Sequence, residues 1–179
     1  MADSSITKQS LASALKELME EKNFSKISIS DICERCGMSR KNFYYHFKDK
    51  YNLLNWIFDT EFLEVTARRN ASATEDLFVL MCTYFYDNRN FYRKAFEVKG
   101  QNSFCEHFYE LLYTAFQAHL HEILGKANTS EFQVNFFADA IAMTVQRWIM
   151  DENCMTPEEF QKQLKTCIHY LIATEQDMV

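Results

Sequence analysis

Tight turns are what this chain cannot build in number. Its 179 residues include only 3 Gly and 1 Pro, and a β-sandwich, a barrel or a Gly-rich phosphate loop needs many residues of those types. All-β and doubly wound nucleotide-binding architectures fall on that ground, and an all-α fold is expected. The apolar content supports it: 47% of residues are hydrophobic and 15% aromatic, enough for a large buried core. The length suits one ordinary domain, or a small module joined to a larger body.

No run approaches the roughly 20 apolar residues of a membrane span. The opening Met1-Ala2-Asp3-Ser4-Ser5 lacks a basic start followed by an apolar stretch. A soluble, cytoplasmic protein without a membrane partner is expected. The six Cys, at 33, 36, 82, 105, 154 and 167, are scattered and read as reduced thiols, most of them buried.

The net charge of -6 is unevenly spread. Residues 1–50 carry nine Lys and Arg against seven Asp and Glu, a net of +2, which leaves -8 for residues 51–179. Within residues 35–50, Arg35, Arg40, Lys41, Lys48 and Lys50 face Asp49 alone. A small basic head on an acidic body points to a polyanion partner at one end.

Helical periodicity organises the head. Ile6, Leu11, Ala14, Leu15, Leu18 and Met19 recur at helix spacing, which predicts an amphipathic helix over about 5–22. Ser28 or Ser30 caps a short second helix that Gly37 ends, and Ser39 caps a third, Arg40 to about Phe47. Two short helices joined through Gly37 form a helix-turn-helix signature. Beyond Tyr51 the spacing predicts helices over about 51–69, 73–87, 89–98, 103–124, 130–151 and 157–176, about nine in all. Thr156-Pro157-Glu158-Glu159 opens the last one with a cap, Pro at the first helical position and Glu at the third.

The third helix spends Phe43 and Phe47 on the core. Arg40, Lys41, Asn42, Tyr44, Tyr45 and His46 are left on its other faces, followed by Lys48 and Lys50. Arg reaches a guanine edge and Asn an adenine edge, while Lys and Tyr reach phosphates, as a helix in the major groove requires. The helix starts at Ser28, Ser30 and Ser39 offer backbone N–H groups to phosphate. The alternative is a basic, solvated surface helix.

From about Ile6 to Ile57 the chain resembles the DNA-binding domain of the TetR family of bacterial transcription regulators. The run Gly37-Met-Ser-Arg-Lys-Asn-Phe-Tyr-Tyr-His-Phe-Lys-Asp-Lys follows that family's helix-turn-helix nearly position for position. The resemblance implies that Tyr44 supports a phosphate contact, that Lys50 grips the DNA backbone, and that Arg40, Lys41, Asn42 and His46 face the groove. Ile-Ser-Asp-Ile-Cys-Glu-Arg-Cys-Gly and Asp-Lys-Tyr-Asn-Leu-Leu-Asn-Trp-Ile further resemble the branch that includes the dihydroxyacetone-kinase activator of Gram-positive bacteria.

Other chemistry is weakly supported. Cys33-x-x-Cys36 has no second ligand pair at finger spacing, so no metal site is expected. No cofactor is implied either, and no catalytic motif occurs. Phe108, Tyr109 and Tyr113 lie in an aromatic stripe that Phe62, Met81 and Phe85 could face. Such stripes usually form core; in a regulator resembling this family they enclose an effector pocket, with His107 and the tyrosines as polar handles. The last two helices carry more apolar residues than one face buries. Phe137, Ile141, Trp148, Leu164, Ile168, Leu171 and Ile172 are therefore expected at a two-fold dimer contact, the alternative being a hairpin within one chain.

The sequence thus predicts a DNA-binding head over 1–50 and a ligand-sensing, dimerising body over 51–179. The function expected is binding of a palindromic double-stranded operator as a homodimer, controlled by a small molecule. Rival readings are a factor that depends on a protein co-regulator and, more distantly, a helical enzyme or metal-binding protein.

Overall fold

The structure, a computed structural model, describes the backbone of residues 2–68, 74–100 and 102–176, with side chains for 4–67, 77–100 and 102–167. Among these residues it contains nine α-helices and no strand: α1 Ala2–Glu21, α2 Ile29–Arg35, α3 Arg40–His46, α4 Lys50–Arg68, α5 Thr74–Asp87, α6 Arg89–Phe96, α7 Phe104–Leu124, α8 Glu131–Met150 and α9 Pro157–Gln176. The all-α expectation holds. No described helix is long and apolar enough to cross a membrane.

Local chemistry sets the helix starts. Ser28 Oγ accepts the Asp31 amide at 3.1 Å while the Asp31 carboxylate accepts the Ser28 amide at 2.8 Å, a reciprocal cap on α2. Those hydrogen bonds, joined by the Lys22 ammonium at 2.9 Å, hold the Asp31 carboxyl down to about 2. Ser39 caps α3 through the Asn42 amide, and Thr156 with Glu159 caps α9 as the spacing predicts. Ser130 and Gln133 do the same for α8.

Two connections between α-helices, Phe24–Lys26 and Lys126–Asn128, wind into single 3₁₀ turns. The first turns tightly because Phe24 is buried, its ring 5.2 Å from that of Tyr51. At the end of α2 the chain reverses through Gly37 at φ +67°, where the Met38 amide donates to the Cys33 carbonyl at 2.8 Å. A Cβ there would meet nothing within 4 Å, so glycine is required by backbone conformation and not by space.

α4 belongs to both halves. Near its start, Tyr51 meets Phe24, and Trp56 meets Phe47 of the head at 5.6 Å. Further along, Phe58 is the hub of the body's core. Its ring lies 5.4–6.1 Å from those of Phe62, Tyr84, Phe85, Tyr92, Phe104 and Phe108. One apolar core therefore runs without a break from Leu11 in α1 to Phe160 in α9.

Candidate nucleic-acid interface

α3 presents what its spacing predicts. Phe43 is fully buried and Phe47 nearly so, anchoring the helix against the head. Successive residues are turned by about 100° on an α-helix, so the solvent face centres on Lys41 and Tyr45, the latter 82% exposed. Asn42 and His46 are half-buried on one flank, with the His46 ring edge-on to Tyr45 at 4.9 Å.

On the other flank Arg40 is exposed. Its guanidinium donates to Ser30 Oγ at 3.5 Å and lies 6.0 Å from the centre of the Tyr44 ring. Ser30, Arg40 and Tyr44 thus meet at the seam between α2 and α3. Ser28 and Ser39 are exposed, but their hydroxyl oxygens already accept the capping amides. Lys48 is exposed just beyond α3.

Not every cation in this segment faces outward. Arg35 reaches back to α1, with its guanidinium 3.3 Å from Glu17 and 2.9 Å from Glu21. Lys50 departs further from expectation. Its ammonium donates to the carbonyls of Ile27 at 2.7 Å, Phe24 at 2.8 Å and Ser25 at 3.4 Å, and sits 4.5 Å from the centre of the Phe24 ring. All three N–H donors are occupied, and burial pushes the ammonium below the ordinary lysine range. The structure thus gives Lys50 the work of pinning the α1–α2 connection.

Replacing Lys50 by Met should accordingly cost about 2 kcal/mol of stability by taking the donor from the Ser25 and Ile27 carbonyls, while the Phe24 carbonyl keeps the Ile27 amide, and leave the salt dependence of DNA binding as it was. Urea unfolding together with binding across a salt series checks this. A slope lowered by about one would return Lys50 to the phosphate backbone.

In the body, the residues expected to line a pocket divide. Met81 and Phe85 are buried in the ring cluster around Phe58, and Phe62 stacks on Phe58 at 5.5 Å. They fill the core, because interlocked rings at these separations leave no space for a ligand. His107 is committed to Asp59 of α4 at 2.7 Å. Phe108, Tyr109 and Tyr113 fare differently. Phe108 and Tyr109 border a cleft of about 370 Å³ between α7 and α8, with Phe96, Ala142 and Met143. Tyr109 and Tyr113 border a second one of about 480 Å³ with Asn135, whose side-chain oxygen accepts the Tyr109 hydroxyl at 2.7 Å.

Four of the residues expected at a dimer contact pack, wholly or in part, within their own chain. Trp148 is buried within its own chain, stacked on Phe160 at 4.2 Å, and its indole N–H donates to the Met155 carbonyl at 2.8 Å. Ile141 is likewise buried, Phe137 stacks on Phe116 at 5.8 Å, and Leu164 packs against the core. The side chains of Ile168, Leu171 and Ile172 lie outside the described residues. The exposed apolar side chains of α8 are instead Phe132, Phe136, Met143 and Met150. Their spacing of 4, 7 and 7 residues puts them on one face. A second apolar stripe on α8, offset from that of Val134, Ala138, Ile141 and Val145, was the signal available in the sequence.

A short three-helix head, with an outward-facing donor-rich helix after a glycine turn and an all-helical body behind it, defines a helix-turn-helix regulator. Residues 11–57 match the family model for bacterial regulatory proteins of the tetR family, and residues 72–170 match that for a transcriptional regulator C-terminal region. The second match alone spans more than half the chain, and the chain belongs to the TetR family of transcription regulators.

The HTH-type dhaKLM operon transcriptional activator DhaS of Lactococcus lactis subsp. lactis (strain IL1403) is 33% identical over 110 residues, which covers 61% of this chain and 57% of that protein. The match thus spans little more than half of the relative's length, and it agrees with the branch resemblance. Among solved structures, the dihydroxyacetone kinase operon activator DhaS is similar at a TM-score of 0.59 with 24% identity, covering 94% of this chain and 96% of the other. A TetR transcriptional regulator from Streptococcus agalactiae 2603V is similar at 0.70 with 22% identity, covering 93% and 96%. Both establish likeness of fold.

Proposed function

We propose that this regulator binds a paired, palindromic operator as a homodimer in the cytoplasm, reads base edges with α3, and responds to a small molecule in its helical body. The observation that carries the reading is the division of labour on α3. Phe43 is wholly buried, while Arg40, Lys41, Asn42 and Tyr45 are available around the opposite faces. This supports base contacts from Arg40, Lys41 and Asn42, phosphate contacts from Tyr44, Tyr45, His46 and Lys48, and backbone amides near Ser30 and Ser39 as phosphate donors, the Ser28 amide being taken by Asp31.

The effector site on this reading is the pair of clefts at Phe108, Tyr109 and Tyr113. Their volumes fall within the usual range for small-molecule sites, and they combine aromatic walls with a few polar groups. The dimer contact is the outer face of α8. The Lactococcus relative's description as an operon activator favours positive control here. No catalytic activity is assigned.

Selection of genomic DNA fragments by the purified protein tests the reading, and should enrich one site made of two inverted halves. Enrichment only when a second protein is added would favour the partner-dependent alternative; no enrichment at all would overturn DNA binding. Within an enriched site, Arg40→Ala should change preference at particular base pairs by roughly 1–3 kcal/mol. Unchanged selectivity across a library of operator variants would remove Arg40 from the base-reading set.

A further inference from the structure

Three consecutive residues of α6 each hold a different part of the molecule. Lys94 donates to the carbonyls of Met19 and Glu20, the latter at 3.0 Å, at the C-terminal end of α1. Arg93 donates from Nε to the Ile149 carbonyl at 2.7 Å and from Nη2 to the Asp151 carbonyl at 2.7 Å, at the C-terminal end of α8. The last carbonyls of a helix have no partner within it, and they carry the negative end of its dipole. Each cation therefore makes charge-assisted bonds that its target helix cannot supply for itself.

Tyr92 completes the set. Its hydroxyl lies 2.7 Å from that of Tyr84, which donates to Glu61 of α4 at 2.8 Å. Tyr84 has one proton and spends it on Glu61, so Tyr92 is the donor between the two tyrosines. The other oxygen of Glu61 accepts the Lys16 ammonium of α1 at 2.5 Å. Neighbouring side chains leave a helix about 100° apart. One turn of α6 thereby reaches the head directly, the head again through α4, and the end of the helix whose outer face is the proposed dimer contact.

We propose that α6 is the brace between reading head and dimer helix, with Arg93 and Lys94 as positioning residues that set the half-site spacing the protein accepts. The inference rests on the dimeric operator-binding reading above. The distance between two reading helices in a dimer follows from the angle each head makes with the dimer helices. Here that angle is held by bonds to the ends of α1 and α8, made from adjacent residues of one helix. No part of α3 is involved, so spacing selectivity is separable from base selectivity.

The test is selection of full-length protein against inverted half-sites separated by spacers of graded length. The parent should enrich one spacing. Lys94→Met should accept neighbouring spacings as well and lose roughly tenfold in affinity at the parental one, because the second half-site then binds with a poorly matched geometry. It should still sediment as the parent does. Lys94→Arg keeps donors for the same carbonyls and should restore the parental spacing. A merely structural role for Lys94 would lower the melting temperature without broadening the spacing profile. If Lys94→Met does not fold, Tyr92→Phe, which removes a single hydroxyl, decides the matter by the same readout. A parent with one preferred spacing whose variant keeps it unchanged overturns the brace alone. A parent that enriches no paired site overturns the operator-binding reading, and the brace with it.

Discussion

Phe136→Glu should leave this protein folded but monomeric, and lower its affinity for a paired operator by roughly a hundredfold or more. Phe136 is 50% exposed in the single chain and Phe132 77%, with Met143 and Met150 continuing the same face of α8. Four large apolar side chains, with only Asp139 set among them, lie exposed along nearly the whole length of one helix face. The opposite face of α8 is closed by Ile141, Val145, Trp148 and Ile149, so a charge at Phe136 meets solvent in the monomer and not the core. In a two-fold contact the same charge would be buried without a partner, twice over.

Loss of the contact removes the gain from binding two half-sites through one molecule, commonly a factor of about 10²–10⁴. Sedimentation at micromolar concentration and operator titration read both effects. A parent that is already monomeric with full operator affinity, or a dimeric Phe136→Glu variant, would place the contact elsewhere.

Phe58→Ala should be the most destabilising single truncation, at about 3–5 kcal/mol, the usual cost of deleting a buried aromatic ring. Phe58 is fully buried, and the six rings around it come from four helices. They cannot collapse onto the vacated space together without breaking their own edge-to-face contacts. Tyr84 and Tyr92 are among them, and burial raises both phenols well above the ordinary range, so their hydroxyls stay protonated in the chain that ends on Glu61. A cavity at Phe58 therefore loosens the joint between head and body as well as the core. Since domains of this size are stable by only about 5–15 kcal/mol, urea unfolding should show a marked fall in midpoint. A loss below about 1.5 kcal/mol would mean that the cluster repacks, and that Phe58 is not its hub.

The helices, their caps and the exposed face of α3 were legible because each depends on residues within one or two turns of each other. Scarcity of Gly and Pro excluded sheets. Ser28 with Asp31, and Thr156 with Glu159, are partners three apart, and the sorting of α3 into Phe43 and Phe47 against Arg40, Lys41 and Tyr45 is helical geometry alone. The family resemblance added the helix-turn-helix reading; the Lys50 ammonium, which it turns to the DNA backbone, lies on carbonyls 23 to 26 residues upstream, a pairing that helical spacing does not record.

By itself, then, the sequence determined that this protein is helical, where most of its helices start, and which short helix carries an exposed set of donors. Tertiary structure alone decided which of two apolar stripes on α8 is closed by α7 and the core and which is left open. A helical wheel records how stripes are spaced but not which one another helix will cover. The same holds for the aromatic stripe of α7, whose rings become solid core around Phe58 at Phe104 and cleft wall at Tyr109. It holds most strongly for α6, where Arg93 and Lys94 look like surface cations on an eight-residue helix and find carbonyls 56 and 75 residues away. Such pairings are set by how helix ends meet in space, because an orphan carbonyl takes whichever donor the packing brings to it.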